Sequence, residues 1–558
     1  MKNLLLLAFL SLITSLSAQK QPIALKWLDE NTCKTDPSVS KQLTGVSWGV
    51  PFSRGETKPN TAFSLTNENG ETLPLQTWTN AFWDDGSVKW LGLATVTDVE
   101  NKAFVLNETG TTKNAKRVGE NTVKVTEGPL SINVENGIIA CKIPKNGTFL
   151  LDSLKINGQL IGTLGQLICL KQDGLDDDFD KNIKKESFKS SVQHVTIEQS
   201  GDLKTVIKIN GVFVNNERSW LPFIVRLYVY AGVENIKIVQ TIIYDGNGEK
   251  DFIKGLGWEF KVPMREEVLN RHVRFGGENN QSIDSQGNTI GIWAEPIQPL
   301  TGRRPLILDK KNVYDDQFLG KRVPNTNVYD KNGQDLIKDW AVWRDFRLTQ
   351  HTADGFSIQK RTHDKGAWID ANGGQRASGL IFVGDVSGGL SLNIRNFWQS
   401  FPAVLEVKNA ASDAAILRGW LWLPFGEAMD MRHYDTLAWG HGLNASYEDV
   451  QPDFSTAEGV ARTSELMLGF HQNVPTNSAL SQNSYLSNNP PLLVATPQYY
   501  GKQTTFNPKR IQIPHVLRNI DEIGNVSTNN TAQWCLNAIE LLELIGKDLP
   551  KDNALWQK

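Results

Sequence analysis

The sequence of 558 residues has four cysteines, almost no net charge and, after its first residues, no long apolar run. The cysteines stand far apart, without a C-x-x-C pair or a histidine at zinc-ligand spacing, so a zinc or dithiol motif is excluded. A formal charge of -3 supplies no field that attracts nucleic acid. We expect buried free thiols, with a disulfide as the alternative for an exported protein, and no nucleic-acid partner.

The N terminus has the segment order of a secretory signal peptide. Lys2 precedes an apolar run over residues 4–16, and Ser17-Ala18-Gln19 follow. We expect residues 1–18 to be removed by cleavage near Ala18, which predicts a secreted or periplasmic protein. No cysteine follows that position, and no later segment has the length and hydropathy of a membrane span, so neither a lipid anchor nor a transmembrane helix is expected.

The rest of the chain is dominated by short β-type runs between turn residues, which predicts a mainly β fold. Residues 22–105 indicate a small all-β domain with a hairpin turn at Asp85-Gly86. Residues 115–470 indicate a large antiparallel β-sandwich, most clearly in a long hairpin formed by residues 220–230 and 236–244. Residues 471–558 are expected to form a linker, over 473–508, and a partial helical region. Helical patterns occur at 456–468 and 530–545.

Side chains suited to acid/base chemistry are concentrated between Glu427 and Arg462. Arg432, His433 and Tyr434 are consecutive in this stretch. An imidazole that titrates near neutrality, a phenol and a permanent cation together suit proton transfer beside an anion. The alternative is a loop whose polar side chains only hold neighbouring elements together by hydrogen bonds.

Six motifs resemble a known family, the PcRGLX/YetA-like proteins, which includes exo-acting rhamnogalacturonan lyases. Two resemble its N-terminal barrel, and four resemble its central β-sandwich. The motifs are GVSWGVPFSRG (45–55), WDDGSVKW (83–90), NRHVRFGGE (270–278), RNFWQSFP (395–402), MDMRHYD (429–435) and STAEGVARTSE (455–465). The resemblance implies a RIFT-like barrel, then the sandwich, then a C-terminal α/α toroid. Too few residues follow Leu468 for a closed toroid, so we expect only part of it here.

The resemblance implies a polysaccharide lyase acting on a rhamnogalacturonan-type, uronate-containing glycan by β-elimination. Such a reaction needs a cation at the uronate carboxylate, a base for the C5 proton and an acid for the departing O4. The candidate catalytic residues are Arg271 and Arg432 as carboxylate clamps, His272 and His433 as bases, and Tyr434 as acid or base. The candidate substrate-binding residues are Asn270, Trp398, Gln399, His441 and Tyr447. The expected partner is a polysaccharide or oligosaccharide, and we expect neither a metal nor another cofactor.

Each candidate has a structural alternative. Arg271 and His272 suit an internal network at a sheet edge, Phe397 and Trp398 suit core packing, and Arg462 with Glu465 suits an ion pair within a helix. The acidic segment 173–180 lacks the residue order of a calcium loop and is expected to be a solvated loop. Two other functions stay open, a non-catalytic glycan-binding relative of the lyases and a glycoside hydrolase with two carboxylates. The oligomeric state is not predicted.

Overall fold

The computed structural model describes residues 21–29, 43–111, 121–176, 182–278, 291–302, 304–432 and 457–503. The chain divides into two compact units. Unit 1 takes residues 1–34, 42–119 and 491–558, and unit 2 takes residues 35–41 and 120–490. Unit 2 is therefore inserted into the sequence of unit 1. The mainly β fold that the sequence predicts is confirmed.

Unit 1 begins with seven described strands, which are β1 (Ile23–Trp27), β2 (Leu43–Pro51), β3 (Thr61–Asn67), β4 (Thr72–Leu73), β5 (Leu75–Phe82), β6 (Val88–Asp98) and β7 (Ala103–Thr111). Of these, β1 and β3 alternate between buried and more exposed residues, as expected for sheets with one face on a core, while β6 is buried along most of its length. The turn predicted at Asp85-Gly86 is confirmed, because Trp83 N–H donates to Ser87 O at 2.8 Å and Gly86 has a φ of 80°. Glycine reaches this positive φ without the steric cost that a Cβ would bring.

Unit 2 is an antiparallel sandwich whose described strands form one hydrogen-bonded network that closes on itself. Its first strands are β8 (Lys124–Glu127), β9 (Ser131–Glu135), β10 (Ile139–Pro144), β11 (Leu151–Ile156), β12 (Gln159–Gln172), β13 (Lys185–Gln199), β14 (Lys204–Val214), β15 (Ser219–Tyr230), β16 (Asn235–Ile243), β17 (Phe252–Pro263), β18 (Arg271–Gly276) and β19 (Ile292–Pro296). The short strands β20 (Ile307–Leu308) and β21 (Lys311–Asn312) form a separate ribbon. Its later strands are β22 (Asp345–Thr352), β23 (Gly355–Arg361), β24 (Ile369–Gly374), β25 (Leu380–Asp385), β26 (Gly388–Ile394), β27 (Ala403–Lys408), β28 (Ala414–Trp422) and β29 (Ala461–His471).

The predicted long hairpin is confirmed as β15 and β16, which pair from Phe223 opposite Ile242 to Val229 opposite Ile236. Buried and partly exposed residues alternate along most of both strands, which explains why the sequence predicted this hairpin. Helices α1 (Val313–Phe318) and α2 (Lys331–Asp339) lie between β21 and β22.

The helix predicted over residues 456–468 is wrong in its described part. That sequence forms β29, which pairs with β16 on one side and β26 on the other. Leu466, Leu468 and Phe470 alternate into the core, so burial between two neighbouring strands outweighs the helix-favouring composition. The intrahelical ion pair predicted for Arg462 and Glu465 is therefore also wrong.

The linker predicted over 473–508 is wrong as well over its described part. Helix α3 (Asn477–Asn488) lies in it and begins at Thr476, whose side chain accepts a hydrogen bond from Ala479 N–H. Strand β30 (Leu493–Ala495) and helix α4 (Pro497–Lys502) follow. β30 returns the chain to unit 1 by pairing with β1 in a sheet of order β30-β1-β7-β3-β4, while β2, β6 and β5 form a second sheet. Residues 530–545 lie outside the described residues.

Two of the four cysteines lie in the described part of the chain. Cys141 and Cys169 are free and buried, which confirms the prediction of buried thiols for these two. The described residues contain no cluster of three or more histidine, cysteine, aspartate or glutamate side chains that could hold a metal ion. Within the same ranges, no helix has both the length and the hydropathy needed to cross a bilayer. The predicted signal peptide lies outside them.

Candidate functional site

The first predicted motif of the sandwich lies inside unit 2. The Asn270 amide donates to Val323 O and accepts from Val323 N–H, both at 2.9 Å. His272 is 1% exposed, and burial followed by the charge of Arg274 lowers its pKa to about 3. The Arg271 guanidinium is buried and donates to main-chain carbonyls, namely those of Met264, Glu266, Ala410 and Ser412. All three side chains are buried, and among the described residues His272 Nε2 has no hydrogen-bond partner. Their roles in catalysis and binding stay predictions.

The aromatic residues of the motif at 395–402 differ in their burial. Phe397 is 1% exposed and packs in the core, as the structural alternative predicted. Trp398 opens a short 3-10 turn, is half-buried and carries the Arg376 guanidinium 4.5 Å from its ring centre. Gln399 is exposed. Trp398 and Gln399 therefore have access to a ligand, and their binding roles stay predictions.

Arg432 is the described member of the acid/base cluster. Its guanidinium forms a two-point contact with Asp430, at 2.9 Å from Nε to Oδ1 and 2.7 Å from Nη2 to Oδ2. It also lies 5.4 Å from the ring centre of Phe252. Among the described residues, these neighbours of Arg432 differ from the partners of Arg271, which are main-chain carbonyls. The other members, His433, Tyr434, His441 and Tyr447, lie outside the described residues.

Arg432 lies beside a loop that contributes residues to a cleft in unit 2, which we call the charged cleft, although Arg432 itself is not among the lining residues. Its Cγ lies 3.8 Å from the point that a Cβ on Gly248 would occupy, and Gly248 belongs to the loop 245–251 on the cleft wall. The cleft has a volume of about 830 Å³. It is lined by Lys171, Asp173, Lys184, Glu186, Arg218, Asp245, Gly246, Asn247, Lys250 and Asp251.

A buried carboxylate organises one wall of the charged cleft. Asp251 accepts two hydrogen bonds from Arg218, one from Asn247 N–H, and lies 3.1 Å from Lys171 Nζ. Burial alone would raise the pKa of Asp251, but the hydrogen bonds from Arg218, Asn247 and Lys171 hold it below its usual value. Asp251 therefore remains an anion that fixes two cations in place.

The remaining cations of the charged cleft are less constrained. Lys184 Nζ lies 2.9 Å from Glu186, and the Lys184 side chain is 62% exposed. Lys250 is exposed and has no ion-pair partner within 4.0 Å among the described residues. A ligand carboxylate that enters the cleft would meet Lys250 without first displacing a protein carboxylate.

The residues on either side of segment 433–456 are tied to the strands that enclose the cleft loop. On one side, Met429 N–H donates to Ile253 O at 2.8 Å, at the start of β17. On the other, Gly459 N–H donates to Tyr244 O at 2.7 Å, at the end of β16. The acid/base-rich stretch of the sequence therefore leaves and rejoins the described sandwich beside the loop 245–251.

A second polar arrangement crosses the face of the sandwich and was not predicted from the sequence. Residues in direct register on neighbouring strands form a line that we call the polar row. Its members are Asp370, Gln359, Arg347, Glu406, Arg418, Glu259 and Gln166, on β24, β23, β22, β27, β28, β17 and β12. The sequence separates these residues widely, and its only signal is the alternation of polar and apolar residues within individual strands.

A small barrel unit and a large antiparallel sandwich with a charged cleft define a two-unit, mainly β protein of the kind that the motifs predicted. Three PcRGLX-like family models match the chain: the N-terminal RIFT barrel domain at 21–109, the central beta sandwich domain at 123–485 and the C-terminal alpha/alpha toroid domain at 455–550. The chain therefore belongs to the PcRGLX-like family, of whose toroid only part is present.

A curated relative is the uncharacterized protein YetA of Bacillus subtilis (strain 168). It is 33% identical over 488 residues, which cover 85% of this chain and 52% of YetA. The chain thus spans about half the length of the curated relative it matches.

Two solved structures show weaker likeness. An alpha-mannosidase from Enterococcus faecalis V583 matches with a TM-score of 0.40 and 11% identity, over 85% of this chain and 46% of that chain. A galactose mutarotase-like protein from Lactobacillus casei ATCC 334 matches with a TM-score of 0.28 and 12% identity, over 61% of this chain and 100% of that chain.

Proposed function

We propose that this chain is a secreted polysaccharide lyase that acts on a rhamnogalacturonan-type, uronate-containing glycan by β-elimination. Membership in the PcRGLX-like family supports the glycan class. The observation that carries the proposal is the position of Arg432, which immediately precedes His433 and Tyr434 in the sequence and lies beside Gly248, in the same loop as Lys250, which lines the charged cleft. Export follows from the signal-peptide pattern of residues 1–18.

The charged cleft offers what the first step of β-elimination demands. The C5 proton of a uronate is a weak acid, because its loss places a second negative charge beside the carboxylate. Cations at that carboxylate stabilise the developing charge. Lys250 supplies an exposed ammonium, and Arg218 supplies a guanidinium held by Asp251 and stacked 5.1 Å from the ring centre of Trp220. A preorganised guanidinium loses less entropy on binding a carboxylate than a mobile one.

The later steps follow from the same chemistry. A base takes the C5 proton, the C4–O4 bond breaks, a C4–C5 double bond forms, and an acid protonates the departing O4. We assign the proton transfers to His433 and Tyr434, as the sequence predicts, and carboxylate binding to Arg432 together with Lys250. The products carry an unsaturated uronate at the new non-reducing end.

The test is the ultraviolet absorbance of that unsaturated uronate when the purified chain is mixed with rhamnogalacturonan. We expect Lys250→Ala to weaken substrate binding and Arg432→Lys to lower turnover, because Lys cannot reproduce the two-point contact with Asp430. Arg226→Ala is the matched control, since it removes an arginine that pairs with Glu198 outside the cleft lining.

The outcomes separate the three functional classes. Absorbance that rises with the wild type and falls with Arg432→Lys supports the lyase. Saturable oligosaccharide binding without absorbance overturns it in favour of a non-catalytic glycan-binding protein. Saturated reducing ends without absorbance overturn it in favour of hydrolysis.

A further inference from the structure

Arg347, the third of the seven residues of the polar row, is held by three side-chain contacts and has no carboxylate partner among the described residues. Its Cζ lies 4.2 Å from the ring centre of Trp368 and 4.6 Å from that of Phe425. Its Nε donates to Gln359 Oε1 at 2.8 Å, and Gln359 in turn donates to Asp370. Two aromatic contacts and one hydrogen bond leave the guanidinium few alternative orientations.

The terminal nitrogens of Arg347 have no hydrogen-bond acceptor or ion-pair partner among the described residues. The other arginines around Trp368 and along the row differ in this respect. Arg361 binds Asp345 with Nε at 2.8 Å and Nη2 at 2.7 Å. Arg418 binds Glu259 with Nε and Nη2, both at 2.7 Å. Arg347 is thus a half-buried guanidinium whose two terminal nitrogens, with four N–H donors, have no acceptor among the described residues.

Burial makes this unpaired cation costly. Desolvation lowers the pKa of Arg347, and the negative charges of Glu406 and Asp370 only partly oppose that effect. A bound carboxylate would offset the desolvation and accept one N–H from each terminal nitrogen in the side-by-side geometry that arginine and carboxylate groups favour. The row does not lack negative charge, but the terminal nitrogens of Arg347 lack an acceptor in direct contact with them among the described residues.

The surroundings restrict what else the ligand carries. Carboxylates of the row and its flank, such as Glu406, Glu259 and Asp345, would repel a dense polyanion. The Gln359 amide is engaged with Arg347 and Asp370, and Gln166 and Glu406 are buried. Hydroxyl groups of a ligand at Arg347 would therefore meet the exposed Asp370 carboxylate, which accepts hydrogen bonds. Phe425, 48% exposed, and Ile369, 51% exposed, add apolar surface beside Arg347 and Trp368. A single carboxylate among hydroxyl-bearing neutral groups matches this mixture.

We propose that Arg347, with its neighbours Trp368, Phe425 and Asp370, forms a binding site for an oligosaccharide in which single uronates are separated by neutral sugars, with the uronate carboxylate on Arg347. This site is distinct from the charged cleft, since none of its residues lines that cleft. The choice of a glycan rests on the proposed function, whereas the demand for an isolated carboxylate rests on Arg347 alone.

Calorimetric titration of the full chain tests the site with defined probes. The probes are a rhamnose–galacturonate tetrasaccharide, its methyl ester, tetragalacturonate and a tetra-aspartate peptide. We expect the alternating tetrasaccharide to bind best, and its ester to bind roughly ten- to a hundred-fold more weakly, because charge-assisted hydrogen bonds are lost. The ester comparison uses the wild type and so does not depend on the folding of any variant.

Variants locate the binding. Arg347→Ala should weaken the tetrasaccharide as much as esterification does, and Arg347→Lys should lie between, since it keeps the charge but loses the second donor. Arg226→Ala should bind as the wild type does. Circular dichroism melts confirm that each variant is folded.

Three results would overturn the site: equal affinity of Arg347→Ala and the wild type, equal affinity of the ester and the acid, or tightest binding of the peptide or of tetragalacturonate. The absorbance assay keeps this inference separate from the proposed function. Binding that depends on Arg347 without unsaturated product retains the site and removes the lyase. Product formation with unaltered binding by Arg347→Ala retains the lyase and removes the site.

Discussion

Arg218 and Asp251 form a two-point contact at the wall of the charged cleft, with Nη1–Oδ1 at 2.6 Å and Nη2–Oδ2 at 2.8 Å. The Asp251 side chain is 3% exposed and also lies 3.1 Å from Lys171 Nζ. One buried carboxylate thus contacts two cations, Lys171 on β12 and Arg218 directly before β15. Because both cations depend on it, Asp251 joins the stability of the sandwich to the charge of its cleft.

Replacing Asp251 by Asn should destabilise the protein by about 3–5 kcal/mol, the range found when one partner of a buried ion pair is removed. The amide keeps the shape but leaves Arg218 without the carboxylate that it contacts at two points and leaves Lys171 with Glu186, 3.4 Å away. Urea denaturation followed by fluorescence measures the change. Glu198→Gln is the matched control, because Glu198 pairs with Arg226 at the surface and should contribute less than about 1 kcal/mol. Equal losses in the two variants would contradict the central role of Asp251.

His272 should make the fold sensitive to mild acid. Burial, and then Arg274, lowers its folded-state pKa to about 3, whereas an exposed histidine in the unfolded chain titrates at about 6.5. Below the unfolded value the unfolded chain binds the proton and the folded chain does not, so stability falls as the pH falls from about 6.5 towards about 3. By about pH 5 the loss reaches about 2 kcal/mol.

The variant His272→Phe removes this titration and keeps a ring of similar size. Its melting temperature should vary less than that of the wild type between neutral pH and about pH 5. Thermal melts at several pH values in that window measure the difference. A pH dependence as steep as that of the wild type would show that His272 is not buried as a neutral ring.

Secondary structure is predicted best for strands whose own residues alternate between polar and apolar. The hairpin of β15 and β16 was legible because both strands alternate and follow one another closely. β29 was mistaken for a helix because Ala461, Glu465 and Met467 favour helices, and its two partner strands lie far away in sequence. Pairing places Glu465 within 2.9 Å of Lys237 and 3.0 Å of Arg395, contacts that no local pattern encodes.

The candidate sites, too, were predictable only where their residues are neighbours in the sequence. Arg432 was predicted because its acid/base neighbours are adjacent in the sequence. Arg347, Trp368 and Phe425 come from β22, the approach to β24 and the loop after β28, and only the register of the sheet brings them together. A single sequence gives no sign of such contacts, because each residue type is ordinary where it stands.

The contribution of β30 to the free energy of unfolding of unit 1 should be measurable. Leu493 is 1% exposed and pairs with Trp27, so Leu493→Ala should cost about 2–5 kcal/mol, as for other large-to-small core changes. Its neighbour Leu492 is 39% exposed, and Leu492→Ala should change stability by less than about 0.5 kcal/mol. Urea denaturation of the two variants provides the comparison. Similar small effects would mean that residues after 490 do not stabilise unit 1.

His351 reports on Arg347 from the same strand. Its Nε2 lies 2.8 Å from Ser357 Oγ, and its pKa is lowered by burial first and by the charge of Arg347 second. Removing that charge in Arg347→Gln should therefore raise the pKa of His351. If a uronate carboxylate binds Arg347, adding the rhamnose–galacturonate tetrasaccharide should raise the pKa of His351 in the wild type, because the bound anion offsets the same charge. The tetrasaccharide should have little effect on this pKa in Arg347→Gln.

Histidine-labelled protein observed by NMR across a pH series measures this titration, and loss of one signal in His351→Gln assigns it. Arg226→Gln serves as the control and should leave the His351 titration unchanged with or without the ligand. A ligand-induced rise that persists in Arg347→Gln would place the carboxylate elsewhere. An unchanged titration in Arg347→Gln without ligand would show that the two side chains do not interact, which would remove His351 as a reporter while leaving the calorimetric test of Arg347 intact.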